Sequence, residues 1–290
     1  MGYALASVAM AEGAPLQMQF LSPPDSFVLW QLPEQTPSQM MSYVLVTEHK
    51  QVIVIDGGRE GDAPYLRGFL KALGNEVEAW VMTHPHADHY GALKVIASDP
   101  EGLVIHQLYG TFPDPDWYAE YGDDQAGVPL FLEAIKQAGL VMEPLSPGQV
   151  AVLDGVRFEV LATINPELTV NPINNQSLVM RVEDDYKSIL FTGDAGAEES
   201  EKLLAGPYAD RLACDYVQMA HHGQQGATEA FYRKVNARWA LWPTPKWLWD
   251  NDTGGGKGSG PWKTLETRAW MEKLGIERNI TTWEGLAVIR

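Results

Sequence analysis

Five of the seven histidines of this chain fall into two short clusters, and each cluster follows a run that reads as a β-strand. The first is His84-Pro85-His86-Ala87-Asp88-His89, three imidazoles and a carboxylate within six residues. In an extended segment His84 and His86 point the same way, and Asp88 and His89 then turn toward a second position. Imidazole and carboxylate together suit zinc, iron or manganese. Four potential ligands so close in sequence exceed what one closed tetrahedral site can use, so the spacing predicts two metal ions. The second cluster is His221-His222-Gly223, after the apolar run Tyr216–Met219.

The elements that must position these clusters are short β-rich runs alternating with helical patterns. Strands are expected at Phe27–Leu32, Tyr43–Thr47, Val52–Ile55, Val77–Met82, Leu103–Leu108, Gln149–Leu153, Val156–Ala162, Ser177–Val182, Ser188–Phe191, Tyr216–Met219, Trp239–Trp242 and Leu286–Ile289. Helices are expected at Ala63–Leu73, Gly91–Ala97, Pro129–Ala138, Ala197–Leu204, Thr228–Asn236 and Trp262–Leu274. Gly74 stands where the first of them would end on a left-handed residue. Asp154-Gly155 is a strong hairpin turn. Residues 110–127 and Asp252–Gly260 read as loops, the latter a mobile one over the site. Lys257 is followed by Gly, so that segment is no phosphate-binding P-loop. The prolines of Trp242–Trp249 argue against an ordinary helix there, and one tryptophan of this region is expected to face the cleft.

These residues resemble, in order, the motifs of the metallo-β-lactamase superfamily. His84–His89 is similar to its H-x-H-x-D-H signature, and Val54-Ile55-Asp56-Gly57-Gly58 to the strand-Asp-Gly element upstream. Phe191-Thr192-Gly193-Asp194 resembles the T-G-D motif, Met219–Gly223 the late His motif, and Thr282–Val288 the closing hairpin. The resemblance implies an α/β fold, an αββα sandwich of two mixed sheets with helices on both outer faces and the metal site at one edge. It implies that His84 and His86 hold one ion, Asp88 and His89 a second, and that Asp194 bridges. His221 is expected to complete the second ion, being first after its strand, with His222 facing substrate. Asp56 would orient the ligand loop. One departure matters: most members carry a further His before the T-G-D motif. Here that interval offers only His106, expected to be a strand residue with no ligand role. The matching place holds Asn174-Asn175-Gln176-Ser177-Leu178-Val179. That N-x-S-L-V pattern resembles the subgroup containing the soluble domains of DNA-uptake channel proteins and phosphorylcholine esterases. Asn175 or Ser177 could there donate to a developing oxyanion, or simply cap a turn.

The expectation is therefore a two-metal hydrolase in which Asp88, Asn175, Ser177 and His222 take part in chemistry. Its cofactors would be two divalent ions, zinc first and manganese or iron next, and its substrate a small phosphoester or phosphodiester. Alternatives are thioester, lactone or amide hydrolysis on the same site, or a binding protein whose site has degraded.

Composition narrows the partners. The chain has 290 residues, 45% hydrophobic, with 21 Lys+Arg against 38 Asp+Glu and a net charge of −17. Such a chain builds an ample core. The charge argues against a long nucleic-acid partner, which calls for a basic stripe. No apolar run approaches the ~18 residues of a membrane span. Cys214 is the only cysteine, so there is no intrachain disulfide, which fits a reducing, cytoplasmic setting. Export is the alternative if the N-terminus is a signal remnant: Ala9-Met10-Ala11 resembles a cleavage site but lacks a basic segment before it. Residues 1–20 are read as an extension and 21–290 as one domain. The sequence leaves the oligomeric state open.

Overall fold

The computed structural model describes residues 26–121 and 127–290; the expected extension at 1–20 lies outside them. Fourteen strands form two seven-stranded sheets among the described residues. The first holds β1 (Val28–Gln31), β2 (Ser42–Val46), β3 (Val52–Asp56), β4 (Glu76–Val81), β5 (Val104–Tyr109), β6 (Met142–Glu143) and, from the far end of the chain, β14 (Ala287–Ile289). The second holds β7 (Val150–Leu153), β8 (Val156–Ala162), β9 (Val179–Glu183), β10 (Ser188–Phe191), β11 (Tyr216–Gln218), β12 (Trp239–Trp242) and β13 (Arg278–Thr281).

The two sheets repeat one pattern. In the order β14-β1-β2-β3-β4-β5-β6 the first three pairings are antiparallel and the last three parallel. The order β7-β8-β9-β10-β11-β12-β13 does the same. The change of sense falls at β3/β4 in one sheet and β10/β11 in the other. The loops that carry the histidine clusters and Asp194 leave the carboxyl ends of strands β4, β10 and β11 beside this change.

Alternation along the strands explains the layers. Leu29, Tyr43, Leu45, Ile53 and Ile55 meet Met180, Val182, Ile189 and Phe191 between the sheets. Their neighbours Val28, Trp30, Val44, Val46, Val52 and Val54 face the other way, packing with Leu66, Leu70, Leu93 and Ile96 of the helices α1 (Ala63–Ala72) and α2 (Ala87–Ser98). On the opposite outer face Val179, Leu190, Val217 and Ala240 pack with Leu203 of α5 (Ala197–Ala205), Phe231 of α6 (Glu229–Val235) and Met271 of α8 (Thr264–Lys273). Strands buried on both faces read as continuous apolar runs, which is how they look in the sequence. The architecture is the αββα sandwich.

Several boundaries differ from the sequence reading. The helix expected at Gly91 begins at Ala87, so Asp88 and His89 stand in its first turn and His86 is its N-cap. The acid in that turn is favourable to the helix dipole. The segment read as a loop at 110–127 contains α3 (Pro115–Tyr121) and the start of α4 (Gly127–Gln137); its loop-like composition masked Trp117 and Tyr118, which pack on the core. A short α7 (Lys246–Trp249) follows the prolines of 242–249, with Pro245 as its N-cap. β6 and β13 are short pieces with no alternation of their own. The turn at Asp154-Gly155 is as expected, both residues having positive φ and Leu153 pairing with Val156. The Asp252–Gly260 loop is knitted by Asp252, whose carboxylate accepts from the amides of Gly254 at 2.7 Å and Gly256 at 2.9 Å.

Candidate metal centre

The first sheet builds half of the site. Asp56 ends β3 with φ 55°, and its side chain is fully buried. One oxygen accepts from the Thr83 amide at 2.8 Å, the other from the Thr83 hydroxyl at 2.7 Å. That second oxygen also receives His89 Nδ1 at 2.6 Å. Asp56 thus ties the end of β4 to the first turn of α2 and leaves His89 Nε2 free to face the cluster, the orienting role expected of it. His84 Nδ1 lies 3.1 Å from the same Thr83 hydroxyl.

The second sheet builds the other half. Thr192 after β10 donates its amide to Gln218 Oε1 at 2.7 Å and its hydroxyl to the Gln218 carbonyl at 2.8 Å. Gln218 Nε2 donates back to the Gly193 carbonyl at 2.9 Å. Gln218 is fully buried and clamps the Asp194 loop to β11. Sequence reasoning missed it, although a glutamine inside an apolar strand is a signal. His221, His222 and Gly223 all take left-handed backbone, with φ 50°, 54° and 75°. His222 Nδ1 donates to the Pro243 carbonyl at 2.8 Å, which aims Nε2 inward. Thr244 pins the His222 carbonyl at 2.6 Å.

Together these loops form two donor groups, His84/His86/Asp194 and Asp88/His89/His222, each with its ligand atoms within 4.8 Å of one another. Asp194 stands between them: Oδ1 is 3.4 Å from His89 Nε2, while Oδ2 is 3.4 Å from His222 Nε2 and 3.7 Å from His84 Nε2. His222 Nε2 is 3.3 Å from Asp88 Oδ2. Three of these atoms, His89 Nε2, His222 Nε2 and Asp194 Oδ1, are buried without a hydrogen-bond partner. Buried polar atoms otherwise find partners, and here they converge on one another. That is what a cation between them would satisfy, so the donor set fits a divalent metal.

The electrostatics agree. Burial alone would raise the Asp194 carboxyl, but His222, His89 and His84 outweigh it and hold it well below the usual range. Asp88 is likewise opposed by burial and pulled down by the neighbouring His222 and His89 imidazoles. Against burial, Asp194 and Asp56 push His89 well up, and Asp194 and Asp88 push His222 up to about 9. His84, dominated by burial, is held well below the ordinary imidazole value. The carboxylates thus favour positive charge at this point, which a bound divalent cation would supply. Arg59, another cation outside the sequence reading, has Nη2 3.5 Å from Asp88 Oδ2.

The geometry amends the expected roles at three places. His222, not His221, joins Asp88 and His89. His221 faces outward from that group, its Nδ1 3.2 Å from the Gln225 carbonyl and its Nε2 3.2 Å from Asn174 Nδ2. The left-handed bend inverts the order that straight strand continuation suggested. Asn175 has its Oδ1 taken by the amides of Gly196 at 3.0 Å and Glu199 at 3.2 Å, and its Nδ2 by the Val170 carbonyl at 2.7 Å. It caps α5. Ser177 Oγ accepts the Asp194 amide at 2.9 Å. Both side chains hold the Asp194 loop; the Asn175 amide is taken up on both its atoms in doing so, while the Ser177 hydroxyl, as an acceptor there, keeps its own proton to donate. His106 is an exposed residue of β5 outside both donor groups.

A profile of the Metallo-beta-lactamase superfamily matches residues 36–259. ComE operon protein 3 of Bacillus subtilis (strain 168) is 27% identical over 192 residues, covering 63% of this chain and 23% of that protein. The uncharacterized protein YcaI of Escherichia coli (strain K12) is 24% identical over 228 residues, covering 73% and 26%. The chain thus spans about a quarter of the length of these curated relatives. Among solved structures, the metallo-beta-lactamase fold protein YhfI of Bacillus subtilis superposes with TM-score 0.56 at 12% identity, covering 91% of this chain and all of that one. Unliganded yeast PDE1 gives TM-score 0.55 at 12% identity over 92% of this chain. With the fold, the ordered motifs and the profile in agreement, this chain belongs to the metallo-beta-lactamase superfamily.

Proposed function

We propose that this chain is a two-metal hydrolase acting on phosphodiesters. One observation carries the reading: two three-residue donor groups meet at Asp194, whose two oxygens lie near imidazoles of both. His84, His86 and Asp194 would hold one divalent ion; Asp88, His89 and His222 would hold the other, with Asp194 shared. Zinc is the ion that this imidazole and carboxylate set suits best. Bound ions would supply Lewis-acid polarisation and a water acidic enough to attack at neutral pH. The protein's own part is orientation. Asp56 and the Pro243 carbonyl fix the tautomers of His89 and His222. Ser177 and Gln218 fix the loop that carries Asp194. Only His84 and His86 are imidazoles of the first group, so that ion keeps positions open to substrate.

The diester preference is supported by the likeness of the Asn174–Val179 and His221–Gly223 elements to the phosphoester-cleaving subgroup. The test is a panel on protein loaded with zinc or manganese: bis(4-nitrophenyl) phosphate, 4-nitrophenyl phosphate and 4-nitrophenyl acetate. Cleavage of the diester at least tenfold faster than the others supports the reading. Cleavage of the acetate alone moves it to carboxylic esters, and inactivity toward all three with both ions bound removes it.

A further inference from the structure

A cavity of about 410 Å³ is lined by His221, the neighbour in sequence of the donor His222, and by Gly196, two residues after the donor Asp194. Its walls include His221, Asn171, Gln224, Gln225, Glu198 and Trp262. The half-buried ring of Trp262 packs on a second tryptophan, and its backbone is tied to the preceding loop. Trp247 meets it edge-on at 4.8 Å between centroids. The Trp262 amide donates to Asn251 Oδ1 at 3.1 Å. A Cβ on Gly260 would come within 2.8 Å of the indole, so glycine there leaves the ring its room.

The charge in this lining is one-sided. No Lys or Arg is among the described lining residues, and Glu198 supplies a carboxyl, its Oε2 3.4 Å from Asn175 Nδ2. The α5 N-terminus, which borders the cavity through Gly196 and Ala197, is already capped by Asn175. A site for a second phosphate needs donors or cations aimed at it. This one offers an acid, amide side chains and an aromatic face, which suit an uncharged flat group.

We propose that this cavity is the subsite for the second group of the substrate, and that it selects an uncharged, ring-bearing group and rejects a further anion. The inference rests on the phosphodiester reading above. It makes Trp262 and Glu198 specificity-determining residues and points to esters with a single phosphate, not to long polyanionic strands.

The experiment titrates three non-hydrolysable probes into zinc-loaded protein at pH 8: methylphosphonate, phenylphosphonate and 4-carboxyphenylphosphonate. All three carry the same anchoring group. The ring should tighten binding about fivefold over methyl, and the carboxylate should cost at least threefold at low salt. Trp262→Ala should erase the gain from the ring. Glu198→Gln should shrink the loss from the carboxylate, read as the ratio of 4-carboxyphenylphosphonate to phenylphosphonate affinity. Equal binding of methyl and phenyl probes, or a ring gain that survives Trp262→Ala, overturns the proposal. So does tighter binding of the carboxylate probe. The bis(4-nitrophenyl) phosphate assay separates the two readings. Ring selectivity without cleavage sinks the phosphodiesterase and leaves the subsite. Cleavage without ring selectivity does the reverse.

Discussion

His221 and His222 are adjacent and chemically identical, yet only His222 joins a donor group. Their backbone φ angles of 50° and 54° set the difference, because successive left-handed residues turn their side chains apart. His222→Ala should cut metal content at the Asp88/His89 group and lower activity by at least a hundredfold. His221→Ala should keep both ions and change mainly KM, since His221 lines the cavity beside the centre. Metal analysis of the two variants checks this; loss of an ion from the His221 variant alone would reverse the assignment. Glu199 offers a second test at this scale. It is fully buried, and burial holds its carboxyl well above the usual range despite the bond from Asn165 Nδ2 at 3.0 Å. An acid with a raised folded-state pKa favours folding below its unfolded value near 4.5 and loses that contribution as pH rises. Glu199→Gln should therefore gain on the wild type as pH goes from 4.5 to 8, by about 1 kcal/mol or more. Denaturant curves across that range measure it, and a constant difference would contradict it.

At the scale of elements, the neighbouring carboxyl ends of β3, β4, β10 and β11 decide which loops meet. The donor residues sit just beyond the ends of β4, β10 and β11, and Asp56 ends β3, so four adjacent loops converge across two sheets. Much of this was legible in the sequence, because ligand chemistry is written in residue type and the motifs follow strands that are strong apolar runs. What was not legible depended on contacts distant in sequence. Nothing local shows that Pro243 would take the Nδ1 of His222, or that Asn175 would be spent on the amides of Gly196 and Glu199. The loop-like composition of 110–127 likewise hid a helix that only its packing partners justify. Gly223 shows how tight the convergence is. It has φ 75°, and a Cβ there would sit 2.1 Å from the Trp242 ring. Gly223→Ala should lose about 2–4 kcal/mol of stability through strain and overpacking, and zinc affinity should fall with it. A variant with wild-type melting and zinc content would show that this loop is softer than its geometry implies.

For the whole molecule, the net charge of −17 sets a field that any anionic partner must cross. Duplex DNA should bind more weakly than micromolar at physiological salt, as fluorescence anisotropy would read. A nanomolar affinity with a steep salt slope would contradict it. Among the described residues no helix is long and apolar enough to cross a membrane. One feature of the sheets also bears on how the chain is made. β14 pairs with β1, Leu29 opposite Ile289 and Trp30 opposite Val288, so among the described strands the last one covers the first. During synthesis at roughly 5–20 residues per second, β1 stays an open edge for as long as the rest of the chain takes to emerge. An unpaired apolar edge is a template for wrong partners. The candidate donor groups are complete once β12 and the Pro243 carbonyl are in place, well before β14 covers β1. The nascent chain can therefore assemble its candidate donor groups before β1 gains its outer partner, the short strand β14, and the interval between the two is the length of chain from Thr244 to Ile289.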